Sequence, residues 1–211
     1  MFDNKHFASL RDLDLSSNYE IDLFVTDLAK SQTLNKLRKL ALSNCYLDPS
    51  ALLEFFSSEN FSNLTHLDIS YNFMIKDEGI AMVAEKPFCR SLTHLNVAKC
   101  SLTMESLKCI ADSKYLTNLV ELDLSNNPDI NLQVFFEDTD NIKLFQMMNR
   151  IRCDCCGLNE EEVSQINDVY KLKLVKGFEP QEIDDRYLLE EDAYKPGEEN
   201  DVSITEDDME C

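Results

Sequence analysis

Two histidines and an aspartate are the residues of this sequence whose types and spacing could hold a metal. His66 and His94 each stand in a Thr-His-Leu triplet, and Asp68 follows His66 by two residues. Imidazole and carboxylate groups are ordinary zinc ligands, so a metal site is one interpretation. The other interpretation is that both triplets fill one position of an internal repeat. We favour the repeat, and we expect no metal at these residues.

A short cysteine cluster offers the same choice. Cys153, Cys155 and Cys156 resemble a metal knuckle, but Cys153 and Cys156 fill positions that the repeat reserves for buried side chains. That leaves Cys155, and one thiolate does not hold zinc. Eight cysteines in 211 residues are also too sparse for a disulfide scaffold. We therefore expect thiols, and no metal or other cofactor.

Enzyme motifs give no support for catalysis. The four glycines form no G-x-G-x-x-G fingerprint, phosphate loop or nucleophile elbow, and the sequence has no H-E-x-x-H. Carboxylates are plentiful, but on an open surface they are expected to keep ordinary pKa values and to make poor acid/base pairs. The sequence predicts a protein that is not an enzyme.

The element that positions these residues is a repeat of about 27 residues. Its first apolar position is filled by Leu10, Leu37, Leu64, Leu92, Leu119 and Met148. Apolar residues recur three and five positions later and alternate with polar ones, which predicts short strands with one buried face. Eight positions after the first, asparagine and cysteine alternate as Asn18, Cys45, Asn72, Cys100, Asn127 and Cys156. A single such coil cannot bury its apolar face, so the copies must stack.

This pattern resembles the leucine-rich repeats of the ribonuclease-inhibitor-like subclass over roughly residues 7–170. The resemblance implies an α/β solenoid of about six repeats, with parallel strands on the concave face and helices on the convex face. Segments between the strands carry helix signals of their own. Asp48-Pro49 and Asn159 with Glu162 predict helix starts, residues 75–84 resemble a helix opening, and an apolar stripe predicts another helix. That stripe comprises Ile21, Phe24, Val25, Leu28 and Ala29.

The two ends of the chain depart from the repeat. Residues 170–175 predict a short terminal strand, so we expect residues 1–178 to form the leucine-rich repeat solenoid with a short C-terminal cap. Residues 179–211 contain fourteen acidic residues against Arg186 and Lys195, which predicts an acidic, disordered tail. Ser203 and Thr205 lie in acidic contexts typical of casein kinase 2 sites and are possible phosphosites. At the other end no capping repeat precedes the first strand, so its edge is expected to be open.

The residues between the strand leucines are expected to project from the concave face in two columns, with neighbours about 4.8 Å apart. The first column is Asp12, Lys39, His66, His94, Glu121 and Arg150, and the second is Asp14, Ala41, Asp68, Asn96, Asp123 and Arg152. Tyr71, just after the third strand, is a candidate aromatic anchor. The predicted partner-binding residues are Asp14, Lys39, His66, Asp68, Tyr71, His94, Asn96, Glu121, Asp123, Arg150 and Arg152.

These features favour a non-catalytic protein–protein interaction module or adaptor. A structural subunit, held in a larger assembly through an open solenoid end, is an alternative. A more remote one is a GTPase-activating protein, because the activator of Ran also combines such repeats with an acidic tail. The formal charge of −20 disfavours nucleic acid and anionic membranes and favours a basic protein partner. No signal peptide or transmembrane run is evident. We expect a cytoplasmic protein, with the nucleus as the alternative location, that acts as a monomer or as a subunit of a hetero-complex.

Overall fold

The computed structural model describes residues 5–19, 21–31, 33–137 and 142–176, all within a unit formed by residues 1–177. The predicted tail, with Ser203 and Thr205, lies outside the described residues. The tail, its boundary at residue 179 and both phosphosites therefore stay predictions. No helix in the described ranges is both long and apolar enough to cross a membrane.

Seven short parallel strands form one sheet in chain order. They are β1 (Asp12–Asp14), β2 (Lys39–Ala41), β3 (His66–Asp68), β4 (His94–Asn96), β5 (Glu121–Asp123), β6 (Arg150–Arg152) and β7 (Leu174–Val175). Equivalent repeat positions stand side by side, so that Leu40 pairs with Leu67 and Leu67 with Leu95. The six predicted repeat strands are confirmed. The terminal strand predicted for residues 170–175 is present but shorter, because Tyr170 ends the last helix and only Leu174–Val175 form β7.

The chain returns between strands through helices. They are α1 (Asp22–Lys30), α2 (Pro49–Phe55), α3 (Lys76–Ala84), α4 (Met104–Ala111), α5 (Leu132–Glu137), α6 (Ile142–Met147) and α7 (Glu160–Tyr170), with 3₁₀ helices at Lys5–Ser9, Glu59–Phe61 and Pro87–Ser91. Helices α1 to α4 pack side by side in that order. The buried leucines, phenylalanines and cysteines lie between the helices and the sheet in one continuous core. The α/β solenoid is confirmed.

The predicted helix starts are present. The Asp48 carboxylate accepts a hydrogen bond of 2.8 Å from the Ala51 N–H as α2 begins. At α7 the Asn159 side chain accepts from the Glu162 N–H at 2.9 Å, and the Glu162 carboxylate accepts from the Asn159 N–H at 2.7 Å. These paired bonds form a capping box, in which each side chain takes an N–H group that has no partner inside the helix.

The apolar stripe of α1 is only partly buried. The helix that this stripe predicted is present as α1, and Ile21, Leu28 and Ala29 are buried, whereas Phe24 is 40% exposed. The side chain of Val25 is outside what the structure describes. Helix α1 packs against one neighbouring helix, α2, whereas α2 and α3 each have a helix on both sides. Less of the surface of α1 is therefore covered, which is consistent with the exposure of Phe24.

The alternating asparagines and cysteines tie consecutive coils together. The Asn72 carbonyl oxygen accepts from the N–H groups of Cys45 and Leu47, at 2.8 and 3.1 Å, in the preceding coil. Its amide donates to Leu42 O and Ile69 O, both at 2.9 Å. Asn127 repeats this pattern one pair of coils later, bonding Cys100 N, Leu102 N, Val97 O and Leu124 O. Asn72 and Asn127 are therefore buried side chains that connect two consecutive coils by hydrogen bonds.

The cysteine at the same repeat position makes fewer bonds. The thiols of Cys45, Cys100 and Cys156 donate to a carbonyl of the preceding coil, at 3.2, 3.2 and 3.1 Å. A thiol fills a similar space but lacks the amide's second polar atom. All seven cysteines in the described residues are free, and Cys153 and Cys156 are buried while Cys155 is exposed. This is the arrangement that the repeat register predicted.

Candidate protein-interaction surface

The open face of the sheet forms a groove of about 460 Å³. Residues from β1 to β6 line it, including both predicted columns. Ten of the eleven predicted partner-binding residues are among them: Asp14, Lys39, His66, Asp68, His94, Asn96, Glu121, Asp123, Arg150 and Arg152. The register of the sheet brings these residues together because each column takes one residue from the same position of every coil.

Two stacked histidines occupy the middle of the first column. The rings of His66 and His94 lie nearly parallel, with centroids 3.9 Å apart. The Thr65 and Thr93 hydroxyls hold them by hydrogen bonds to Nδ1 of 2.9 and 2.8 Å, respectively. Burial lowers the pKa of His66, and the charges of His94 and Lys39 lower it further. At neutral pH the His66 ring therefore presents a neutral, flat surface to the groove.

Ion pairs fill the end of the groove next to β6. Glu121 lies 4.0 Å from His94 Nε2 through one carboxylate oxygen and 4.0 Å from Arg150 through the other. In the second column Arg152 approaches the Asp123 carboxylate to 3.4 Å. These groups are partly exposed, so each pair contributes little to stability. Their effect is to alternate the sign of charge along this part of the groove.

Asp68 is the carboxylate of the groove with a resolved change in pKa. Burial raises the pKa of Asp68, and the nearby negative charge of Asp123 acts in the same direction. Hydrogen bonds from the Ser70 N–H and hydroxyl, at 2.9 and 2.6 Å, and from the Asn96 amide at 3.0 Å only partly oppose this rise. The expectation that carboxylates on this face keep ordinary pKa values is wrong for Asp68, because the groove removes it from water.

Tyr71 is the predicted site residue that does not line the groove. It follows β3 in a turn, with a backbone φ of 59°, and its side chain is half-buried. The Lys99 ammonium lies over its ring, 5.5 Å from the centroid. Tyr71 thus lies beyond the end of β3 and outside the set of residues that line the groove, a result that residue spacing alone did not reveal.

The site gains its order from residues that the sequence analysis did not select. Thr65 and Thr93 orient the histidine rings, and Ser70 holds Asp68. The Thr-His-Leu triplets were visible as a repeat, but the role of their threonines was not predicted. In the described ranges, no group of three or more histidine, cysteine, aspartate or glutamate side chains is placed to hold a metal ion. The geometry offers a broad charged groove.

Comparison with known proteins agrees with this architecture. The model of the family described as "Leucine Rich repeat" matches residues 62–84 and 88–111. These segments contain β3 with α3 and β4 with α4. The chain is also 34% identical over 104 residues to the acidic leucine-rich nuclear phosphoprotein 32-related protein 1 of Caenorhabditis elegans. That alignment covers 48% of this chain and 41% of the relative, so the chain spans less than half of the relative's length.

The two matched segments are neighbouring coils of the seven-stranded sheet. The other repeat coils share their strand register, and all of them except the first also share their buried strand positions. The family model therefore finds leucine-rich repeats in two of the stacked coils, and the fold that these coils belong to is an α/β leucine-rich-repeat solenoid.

Proposed function

We propose that this chain is a non-catalytic protein-interaction module that binds a protein partner in the groove of its parallel sheet. The observation that carries the proposal is that ten predicted side chains line one groove, whose volume is about 460 Å³. Its polar side chains stand on short, regularly paired strands, so a partner meets a preformed surface and little ordering cost is added on binding.

The charge pattern defines the partner that this groove fits. Asp14, Asp68 and Asp123 give the second column an acidic character, while Lys39 and Arg150 add cations to the first. Electrostatic complementarity chiefly sets specificity and association rate. The preferred partner therefore presents basic residues to the second column, with an acidic residue near Lys39. The half-buried Asp68 is the strongest candidate for contact with a partner cation, since that contact would offset its desolvation.

The proposed subclass and location rest on separate observations. The spacing of 27 to 29 residues, with helices between the strands, supports the ribonuclease-inhibitor-like subclass. The name of the worm relative contains the words nuclear phosphoprotein. We propose that this module works in the nucleus or the cytoplasm, with an adaptor role that brings its partner to another protein.

Affinity capture with charge-reversed variants tests the proposal. Lys39→Glu and Arg150→Glu change exposed groove residues, and Glu137→Lys is a matched change on an exposed position of helix α5. Proteins captured by the unaltered chain and by Glu137→Lys, but lost with the groove variants, are the expected ligands. Capture that survives both groove changes and is lost with Glu137→Lys would place binding on the helical side and refute the proposal.

A further inference from the structure

The first coil of the solenoid is less covered than the coils that follow it. In the second coil Leu37, Leu40 and Leu42 are at most 2% exposed. Their equivalents in the first coil, Leu10, Leu13 and Leu15, are only partly buried against the same core. Because β1 is the outermost strand of the sheet, no described coil stacks on its free side. Among the described residues, an apolar surface is therefore left at this end.

The same edge presents backbone groups for strand addition. The Leu15 N–H donates to Ala41 O, and Arg11 O accepts from the Lys39 N–H, each at 2.9 Å, so the groups of these alternate residues point toward β2. In a strand the residues between them point the opposite way. The N–H and C=O groups of Asp12 and Asp14 therefore face the open side, where another strand can pair with them.

The sheet already contains one acidic strand paired with a basic strand, and β1 has the same pattern as that acidic strand. Strand β5 reads Glu-Leu-Asp, and β6 beside it reads Arg-Ile-Arg, with Glu121 opposite Arg150 and Asp123 opposite Arg152. Strand β1 reads Asp-Leu-Asp and has the same alternation of acid, leucine and acid. Neighbouring residues in a sheet column interact on either side of a strand, so the chemistry that fits β5 also fits β1.

The cations that β1 would need are not in place within the described residues. Strand β2 puts Lys39 and Ala41 beside Asp12 and Asp14, and no cation of the described ranges lies within 4.0 Å of either carboxylate. The sheet's other end offers only part of the pattern. Its last strand has Val175 at the position where β6 has Arg152. A second copy stacked end to end therefore matches β1 less well than a strand with two cations.

We propose that an extended segment of another protein, with the pattern basic–apolar–basic, adds to the free edge of β1 as a parallel strand. Its apolar residue stacks beside Leu13, and its two cations stand beside Asp12 and Asp14. Flanking apolar residues cover Leu10 and Leu15. This interface lies at the open edge of β1 and adjoins the groove, because Asp12 and Asp14 also line it. It goes beyond the proposed groove binding because it uses the backbone edge of β1 and the partly buried Leu10, Leu13 and Leu15.

The test uses a synthetic peptide that copies residues 145–157, the segment around β6, with Cys153 replaced by alanine, so that the position beside Leu15 stays apolar, and Cys155 and Cys156 replaced by serine. A matched peptide carries Arg150→Glu and Arg152→Glu. Each is titrated into the full-length, isotope-labelled chain while backbone amide resonances are followed. The arginine peptide is expected to shift the amides of Asp12 and Asp14, with an affinity at least about tenfold higher than that of the glutamate peptide.

A charge-swapped protein completes the experiment. The variant Asp12→Lys/Asp14→Lys should prefer the glutamate peptide, and its circular dichroism and melting temperature verify that it is folded. Equal affinities for both peptides, or shifts confined to β3–β5, would overturn the proposal. Analytical ultracentrifugation tests the alternative that a second copy of this chain, and not another protein, covers the edge of β1. If the unaltered chain self-associates and the swapped variant does not, a second copy covers this edge, and the proposed foreign strand is wrong.

Discussion

Among single residues, the buried asparagines make hydrogen bonds that connect consecutive coils, so each should contribute strongly to stability. Asn72 is fully buried and is bonded to both the preceding coil and its own. Removing its side chain leaves the N–H groups of Cys45 and Leu47 without that acceptor in a buried environment. The cost of a buried unsatisfied donor is typically larger than the gain from an average hydrogen bond.

We predict that Asn72→Ala lowers the free energy of unfolding by about 3 kcal/mol, since two buried N–H donors and the carbonyls of Leu42, Ile69 and Ser70 each lose a partner. Asn118→Ala is the matched control, because Asn118 is exposed and makes one 2.7 Å bond to Arg90 O. It should cost under about 1 kcal/mol. Urea denaturation of both variants measures the difference, and equal losses would contradict the role assigned to Asn72.

The raised pKa of Asp68 leads to a prediction about pH. Burial makes the folded protein hold the Asp68 proton more tightly than the unfolded chain does. The ionised carboxylate therefore costs stability above its folded pKa, and this cost disappears as the pH falls toward about 4, the ordinary value for aspartate. Relative to the unaltered protein, Asp68→Asn should gain stability as the pH rises from about 4 to 7. Thermal unfolding across this range tests the sign, and a constant difference between the two proteins would contradict it.

The cysteines should differ sharply in reactivity. Burial raises the pKa of Cys100, Cys153 and Cys156 to about 12, whereas Cys155 is exposed. The thiolate is the reactive form, so the buried thiols lack both access and charge. In the native protein, iodoacetamide should label Cys155 and leave these three unmodified until denaturant is added. Peptide mapping by mass spectrometry reads the sites, and native labelling of Cys100 at the rate of Cys155 would show that the coils are not stacked as described.

At the scale of the element, the strands were predictable and the turns were not. Alternation of leucine with polar residues defines which side of each strand is buried, and the 27-residue spacing aligns Leu67 with Leu95. Tyr71 has a left-handed backbone conformation in the turn after β3 and does not line the groove, and its residue type signals neither feature. The exposure of Phe24 depends on how many helices flank α1, which is a property of its neighbours.

Helix α3 gives a prediction in which packing overrides helix propensity. Alanine normally stabilises a helix by about 1 kcal/mol relative to glycine. At Gly79, however, an added Cβ would lie 2.6 Å from Ile75 Cγ2 and 3.2 Å from Leu52 Cδ1. Gly79→Ala should therefore destabilise the protein, by about 1 kcal/mol or more, because the core must shift to admit a methyl group.

A double-mutant cycle separates that clash from other effects. Ile75→Ala removes the Cγ2 atom that the new methyl would meet. In this background Gly79→Ala should become neutral or stabilising, since the helix propensity of alanine remains and the close contact does not. The two changes should therefore show a coupling energy in chemical denaturation. An unchanged cost of Gly79→Ala with Ile75 removed would contradict the packing described for α3.

At the scale of the whole molecule, the repeat predicted the location of the candidate surface but not its electrostatics. Stacking in register forces equivalent residues into columns, which is why ten of the eleven predicted residues line one groove. The elevated pKa of Asp68 arises from burial and from a neighbour two strands away, Asp123. Such influences depend on the depth and curvature of the assembled sheet, which the spacing of leucines does not define.

We propose that the groove of the sheet is the face that binds a protein partner. The most direct measurement is photo-cross-linking in cells, with benzoylphenylalanine placed at Lys39 in the groove or at Glu137 on helix α5. Position 39 is expected to give a discrete cross-linked partner that disappears when Arg150→Glu is added, while position 137 gives none. A partner cross-linked from position 137 and never from position 39 would contradict the account.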